Sequence, residues 1–159
     1  DIDLTFSDQL TSFDKVHIRV SASSTHPGYG FSSPPLKSTV SVDSLDIDGN
    51  GDADALSDGL LILRSMFGLT DGPLIQSAVS IDALYTSSTD IESRINGLGL
   101  LLDVDGNDSL DPLTDGLLIL RYLFGIRGTT LIDSVIAPDA TRKTSEAIEE
   151  YLEKMAPMI

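Results

Sequence analysis

The sequence predicts a mainly α-helical chain: two tandem repeats, each an acidic loop followed by three helices, after a short segment of two or three β-strands. Three observations predict it. A shift of 57 residues lays the chain on itself without gaps, Asp46 falling on Asp103 and Arg64 on Arg121. Such a match over whole blocks means repeated supersecondary units that pack on one another. In both copies an acidic loop runs straight into Leu-Leu-Ile-Leu, with apolar residues at helical spacing beyond it. Residues 1–42 follow a different rule, with Val16, Ile18 and Val20 alternating against His17 and Arg19.

That alternation, in "KVHIRVSAS", reads as a half-buried strand; "STVSVDSL" alternates less cleanly, and "THPGYGFSSPP" is a turn-rich connector. Residues 1–42 are therefore a β-rich N-terminal segment or the tail of a preceding domain. The first repeat spans 43–101 and the second 102–159. In each, Ser57 or Thr114 is the expected N-cap of the first helix. Asp58 or Asp115 follows in its first turn, where a carboxylate suits the helix dipole. The helix should run to about Phe67 or Phe124, with Gly68 or Gly125 as the C′ stop. Leu60, Leu61, Ile62, Leu63, Met66 and Phe67 cover nearly all its sides, which predicts a central, buried helix. A short second helix is expected at Leu74 to Val79 and Leu131 to Ile136. A third begins near Ser88 to Asp90 and Thr144 to Glu146. Its stripe of Ile91, Ile95 and Leu98, or Ile148, Tyr151, Leu152 and Met155, makes it an amphipathic surface helix.

Bulk composition narrows the function. With 159 residues and 41% apolar content a core is possible, and with few aromatics and no Trp it must be aliphatic. A net charge of −15 argues against nucleic acid or an anionic membrane surface as partner and favours cations or basic partners. Without cysteine there is neither a disulfide framework nor a thiolate metal site. No apolar run reaches the roughly 20 residues of a membrane helix. A start at Asp1 reads as a processed chain or a fragment.

Ten of the 25 acidic residues fall in two windows covering 26 positions, Asp46 to Asp58 and Asp103 to Asp115. A merely solvated face does not need such clustering; a bound cation does. Carboxylates at alternate loop positions let successive side chains converge on one centre. Ca²⁺ wants six to eight oxygens at roughly 2.3–2.6 Å, and a calcium loop supplies them from positions 1, 3, 5, 7, 9 and 12. Asp46, Asp48 and Asn50 stand at positions 1, 3 and 5, Asp52 at position 7 with its carbonyl, and Asp54 at position 9. Asp103, Asp105, Asn107, the carbonyl of Ser109, and Asp111 repeat the pattern. Gly51 sits at position 6, where the turn needs positive φ; Asp108 stands there in the second copy, among the residues that tolerate it. Mg²⁺ fits less well because it keeps more water, and Zn²⁺ lacks His or Cys.

The blocks "DIDGNGDADALSDGLLILR" and "DVDGNDSLDPLTDGLLILR" resemble the EF-hand-like calcium repeats of dockerin modules in secreted bacterial proteins. With the helical tails, the resemblance covers roughly 110 residues. It implies two Ca²⁺ sites, an exported or cell-surface location, and a role as an appended module with a cohesin-like or other cell-surface partner. The chain departs from the pattern in its repeat spacing of 57, longer than paired dockerin loops usually show, and in its loop closure. Position 12 is Ser57 or Thr114, and the closing carboxylate comes one residue later, at Asp58 and Asp115, so each loop has gained a residue after Asp54 or Asp111. Asp58 and Asp115 are still expected to close the sphere, with the neighbouring hydroxyl free to cap the helix.

Other residues carry weaker signals. His17 and His26 read as surface residues. Arg64 and Arg121 suit the last helical turn, where a cation favours the dipole, and can also pair with loop carboxylates. Ala55-Leu56 and Pro112-Leu113 occupy the region dockerins use for cohesin contact, but packing against the neighbouring helix is expected here. No Ser/His/Asp grouping and no phosphate-binding Gly loop is visible. The expected function is therefore non-enzymatic: a calcium-binding structural or protein-interaction module. The alternatives are an accessory module of a secreted hydrolase whose catalytic domain lies elsewhere, or a true dockerin.

Overall fold

Each acidic loop enters its helix through a single π-helical turn, Ala55–Gly59 in the first repeat and Pro112–Gly116 in the second. The Gly59 N–H reaches back to the Asp54 carbonyl at 3.0 Å, and Gly116 to Asp111 at 3.2 Å, the five-residue closure that defines such a turn. A π-turn holds one residue more than an α-turn. This is where each loop accommodates its additional residue. The N-cap positions are accordingly Asp54 and Asp111, not Ser57 and Thr114.

The computed structural model describes residues 44–156, within the compact unit Val42–Ile159. Helix α1 is Leu60–Met66, α2 Asp71–Ile75, α3 Ser88–Leu98, α4 Leu117–Leu123, α5 Thr129–Ile132 and α6 Ser145–Met155. A 3₁₀ turn, Gly99–Leu102, joins α3 to the second loop. The expectation of helical repeats combined with strands is corrected: the described residues contain helices and turns and no strand. The strands expected in 1–42, with His17 and His26, lie outside the described residues.

Local chemistry sets the helix ends. Phe67 and Phe124 are C-caps, and Gly68 and Gly125 follow at φ +77° and +79°, the left-handed stop. The Ser87 hydroxyl accepts the Asp90 N–H at 3.1 Å and the Thr144 hydroxyl that of Ala147 at 3.3 Å, capping α3 and α6. The second helices start and stop earlier than their apolar residues suggested. Ser77 and Ser134 adopt left-handed φ of +54° and +59°, so a helix through Val79 or Ile136 is excluded.

The core is shared by the repeats and nearly symmetric. Leu45, Ile47, Leu61, Ile62, Leu74 and Ile91 are buried, and so are their counterparts Leu102, Val104, Leu118, Ile119, Leu131 and Ile148. Each fully buried side chain of this kind contributes about 1.5–3 kcal/mol. The central helices are less enclosed than predicted. Leu60, Leu63 and Met66 are only partly buried, and Phe67 and Phe124 are both 53% exposed.

The two first helices cross reciprocally. A Cβ on Gly116 would lie 2.7 Å from Leu63 Cδ1 and 3.1 Å from Met66 Sδ, while one on Gly59 would lie 3.0 Å from Leu120 Cδ1 and 3.2 Å from Leu123 Cδ1. The glycine after each closing Asp thus admits the other repeat's helix. At the far end the Leu45 N–H donates to the Met155 carbonyl at 2.9 Å, tying α6 to the start of the first loop.

Candidate metal centre

In each loop three carboxylates converge. One oxygen each from Asp46, Asp48 and Asp58, and likewise from Asp103, Asp105 and Asp115, lie within 4.8 Å of one another. Asp48, Asp58, Asp103, Asp105 and Asp115 are buried and Asp46 half-buried. Both triads can hold a metal ion.

The closing aspartates organise the loops. Asp58 Oδ1 accepts the N–H groups of Ile47 at 2.7 Å and Asp48 at 3.0 Å, and its Oδ2 accepts that of Asp54 at 2.8 Å and the Ser57 hydroxyl at 3.2 Å. Asp115 does the same for Val104 at 2.7 Å, Asp105 at 3.1 Å, Asp111 at 3.0 Å and the Thr114 hydroxyl at 3.3 Å. One side chain therefore joins the beginning, the end and the exiting turn of its own loop. Neither hydroxyl caps a helix N–H.

The remaining aspartates take one tight turn each. Asp46 accepts the N–H of Gly49 at 2.8 Å and of Gly51 at 3.0 Å; Asp103 accepts those of Gly106 at 2.7 Å, Asn107 at 3.1 Å and Asp108 at 2.9 Å. Position 6 carries the predicted positive φ, +103° at Gly51 and +63° at Asp108. Asp48 Oδ2 and Asp105 Oδ2 accept the N–H groups of Ser80 at 2.8 Å and Ala137 at 3.0 Å, anchoring the loop to the segment before the third helix. Asp48 Oδ1 has a long bond from Asn50 N–H at 3.3 Å. Asp105 Oδ1 is buried with no partner.

The other expected ligands sit around these triads. Asn50 and Asn107 turn their Oδ1 atoms onto the N–H groups of Asp52 and Ser109, each at 3.0 Å. Asp52, Ser109, Asp54 and Asp111 are exposed, and Asp54 and Asp111 stand outside both carboxylate clusters. Asp111 uses its Oδ1 to accept the Leu113 N–H at 2.7 Å.

Burial raises three of the acids, Asp46, Asp58 and Asp115. Burial pushes Asp58 up to about 6 against the pull of the Asp54, Asp48 and Ile47 amides, and the Asp48 charge pushes it further. Asp115 is raised by burial, opposed by the Asp111, Asp105 and Val104 amides and reinforced by the Asp105 charge. Asp46 is raised by burial, against the Gly51 and Gly49 amides. Among the described residues no cationic side chain forms an ion pair with either triad.

Sequence reasoning missed Arg94 and Arg142. Arg94 donates from Nε to the Ile47 carbonyl and from Nη2 to the Asp46 carbonyl, both at 2.7 Å. Arg142 donates from Nε to the Val104 carbonyl at 2.6 Å and from Nη2 to the Asp103 carbonyl. Arg64 and Arg121, in contrast, do not meet loop carboxylates. They bind the carbonyls of Leu74 and Gln76, and of Leu131 and Asp133, at 2.8–3.1 Å, closing the ends of α2 and α5. Packing of Leu56 and Leu113 against a helix is also corrected, because they are 70% and 60% exposed.

Among the described residues no helix is long and apolar enough to cross a membrane. Comparison with protein-family models, with curated proteins and with solved structures finds no match.

Proposed function

We propose that both loops bind a hard divalent cation, Ca²⁺, and that the chain is a non-enzymatic structural or interaction module of an exported bacterial protein. The observation that carries this reading is Asp105 Oδ1, a buried carboxylate oxygen with no hydrogen-bond partner, in the cluster with Asp103 and Asp115. An unpaired buried anion is costly, and a coordinated cation removes that cost. Oxygen-only donors favour a hard ion. Two oxygens on opposite sides of Ca²⁺ stand about 4.8 Å apart, so the separations within each triad suit a common centre. The dockerin-like loop pattern supports the same ion.

Because Asp58 and Asp115 hold the loop and also lie in the π-turns that lead into α1 and α4, cation binding feeds into core packing. With a dissociation constant of about 100 µM and about 1–10 mM Ca²⁺, each site adds roughly 1.4–2.7 kcal/mol. Calorimetric titration of chelator-stripped protein with Ca²⁺ tests the reading. A stoichiometry of two is expected, with a melting temperature that rises on loading. Zero uptake overturns it.

An interaction role is favoured over a plain spacer by one feature. Leu56 and Leu113, and Phe67 and Phe124, are exposed at equivalent positions in both repeats. Leu56 and Phe124 line one open groove. A cohesin-like surface protein fits this reading, and calcium-dependent pull-down that fails in Asp48→Ala and Asp105→Ala would support it.

A further inference from the structure

We infer that Arg94 and Arg142 are positioning residues of the two cation sites, each clamping the first two carbonyls of its loop so that the carboxylates at positions 1 and 3 face one centre. The inference rests on the cation reading above.

The two clamps are the same in geometry and different in origin. Under the repeat shift Tyr85 falls on Arg142, and Arg94 falls on Tyr151. Arginine and tyrosine have exchanged places between the copies. In the first repeat Arg94 comes from α3 and lies over the Tyr85 ring at 4.2 Å. In the second Arg142 comes from the segment before α6 and lies over Tyr151, on α6, at 4.1 Å. Both guanidinium groups end on the carbonyls of loop positions 1 and 2, through the same two nitrogens. A single replacement at either position would leave one repeat without its clamp. A reciprocal exchange that restores both the fork and the stack points to the stacked clamp as a unit.

The fork acts through geometry. Asp46 and Asp103 each hold their turn with backbone amides, and the peptide groups that place them are the ones each arginine binds. A bidentate guanidinium fixes a plane and two distances, which a single ammonium does not. A positive charge beside a cation site would oppose loading. If charge dominated, removing the arginine would tighten binding; if positioning dominates, removal weakens it.

The test is Ca²⁺ titration of the full chain, read by calorimetry and by the backbone amide resonances of Gly51 and Asp108, which report the two loops separately. In Arg94→Met the first loop should lose about tenfold or more in affinity, the scale seen when a group that orients a ligand is removed. The second loop should stay within about twofold. Tyr85→Arg/Arg94→Tyr installs the second repeat's arrangement in the first and should restore most of the loss. This double variant also decides the matter where Arg94→Met alone does not fold. Unchanged or tighter binding in Arg94→Met, equal loss in both loops, or a folded double variant that stays weak overturns the inference. Wild-type protein that takes up no cation overturns the cation reading and, with it, this one.

Discussion

The loop from Asp46 to Asp58 gives every oxygen of its three carboxylates a donor; the loop from Asp103 to Asp115 leaves one without. The difference comes from a single amide. The Asn50 N–H points to Asp48 Oδ1, at 3.3 Å, whereas the equivalent Asn107 N–H turns to Asp103 Oδ1, at 3.1 Å. Asp105 Oδ1 is orphaned as a result. The second loop is thus the less self-sufficient, and on the cation reading it is the one whose closure depends more on metal. The rest of the framework is held in common. Asp58 and Asp115 make matching bonds, and Ser80 and Ala137 donate to matching oxygens.

The largest expected effect falls on what the loops share. Asp58→Ala or Asp115→Ala strips three backbone amides of their acceptor. At about 1–3 kcal/mol for each unsatisfied group, the loss should be about 3 kcal/mol or more. It should appear in chelator as well as in Ca²⁺, because these bonds need no ion. Urea unfolding measures it. Clearly unequal losses in the two variants would break the equivalence of the closing aspartates.

The next effect should split the loops. Asparagine at 105 can keep one oxygen on the Ala137 N–H and place its amide where Oδ1 has no donor. Asp105→Asn should therefore stabilise the chelated protein by about 1 kcal/mol or more, by removing an uncompensated buried charge. Asparagine at 48 would set a donor against the N–H of Asn50 or Ser80, so Asp48→Asn should not stabilise. Both should weaken Ca²⁺ uptake at their own loop by about tenfold or more. Thermal melts in chelator and calorimetry in Ca²⁺ give the two signs. A stabilised Asp48→Asn would remove the distinction drawn from the orphan oxygen.

The sequence shows the repeat through its 57-residue shift, and it shows the alternate carboxylates, the positive-φ position and the starts of the third helices because each of these rests on residues close together in the chain. It also shows the late closing aspartate. That this residue would be absorbed as a π-turn, with the caps moving back to Asp54 and Asp111, depends on backbone bonding that residue types do not encode. The short second helices lie earlier than their apolar residues suggest because Ser77 and Ser134 accept left-handed φ only in their folded setting. Helical periodicity assigns Phe67 to the buried helix because it reports a face, not what covers it. The arginine clamp was hidden for a different reason. Tyr85 against Arg142, and Arg94 against Tyr151, look like two unrelated mismatches until they are seen as one reciprocal exchange. That complementarity was the available signal.

The reciprocal crossing of α1 and α4 yields a smaller, graded effect. A methyl on Gly116 meets Leu63 and Met66 more tightly than one on Gly59 meets Leu120 and Leu123. Overpacking typically costs about 1–3 kcal/mol. Gly116→Ala should lie within that range and Gly59→Ala below it. The order of the two melting temperatures is the measurement. A reversed order would mean that the thioether of Met66 yields more readily than the leucines across from Gly59.

The smallest effect concerns position 6, where the first loop has Gly51 and the second Asp108. Both backbone amides donate to position 1, at 3.0 and 2.9 Å, so the turn is the same. Asp108 holds φ +63°, which costs a residue with a Cβ about 1 kcal/mol, less for Asp than for most. Asp108→Gly removes that strain and one negative charge from a crowded loop. It also gives the unfolded chain more freedom, which offsets about 0.4–1 kcal/mol. In chelator the charge term should tip the balance, for a gain of a few tenths of a kcal/mol. In saturating Ca²⁺ the like-charge relief vanishes, because the ion already supplies it, and the gain should fall to zero or reverse. A gain of equal size with and without Ca²⁺ would assign the whole effect to backbone strain and none to charge.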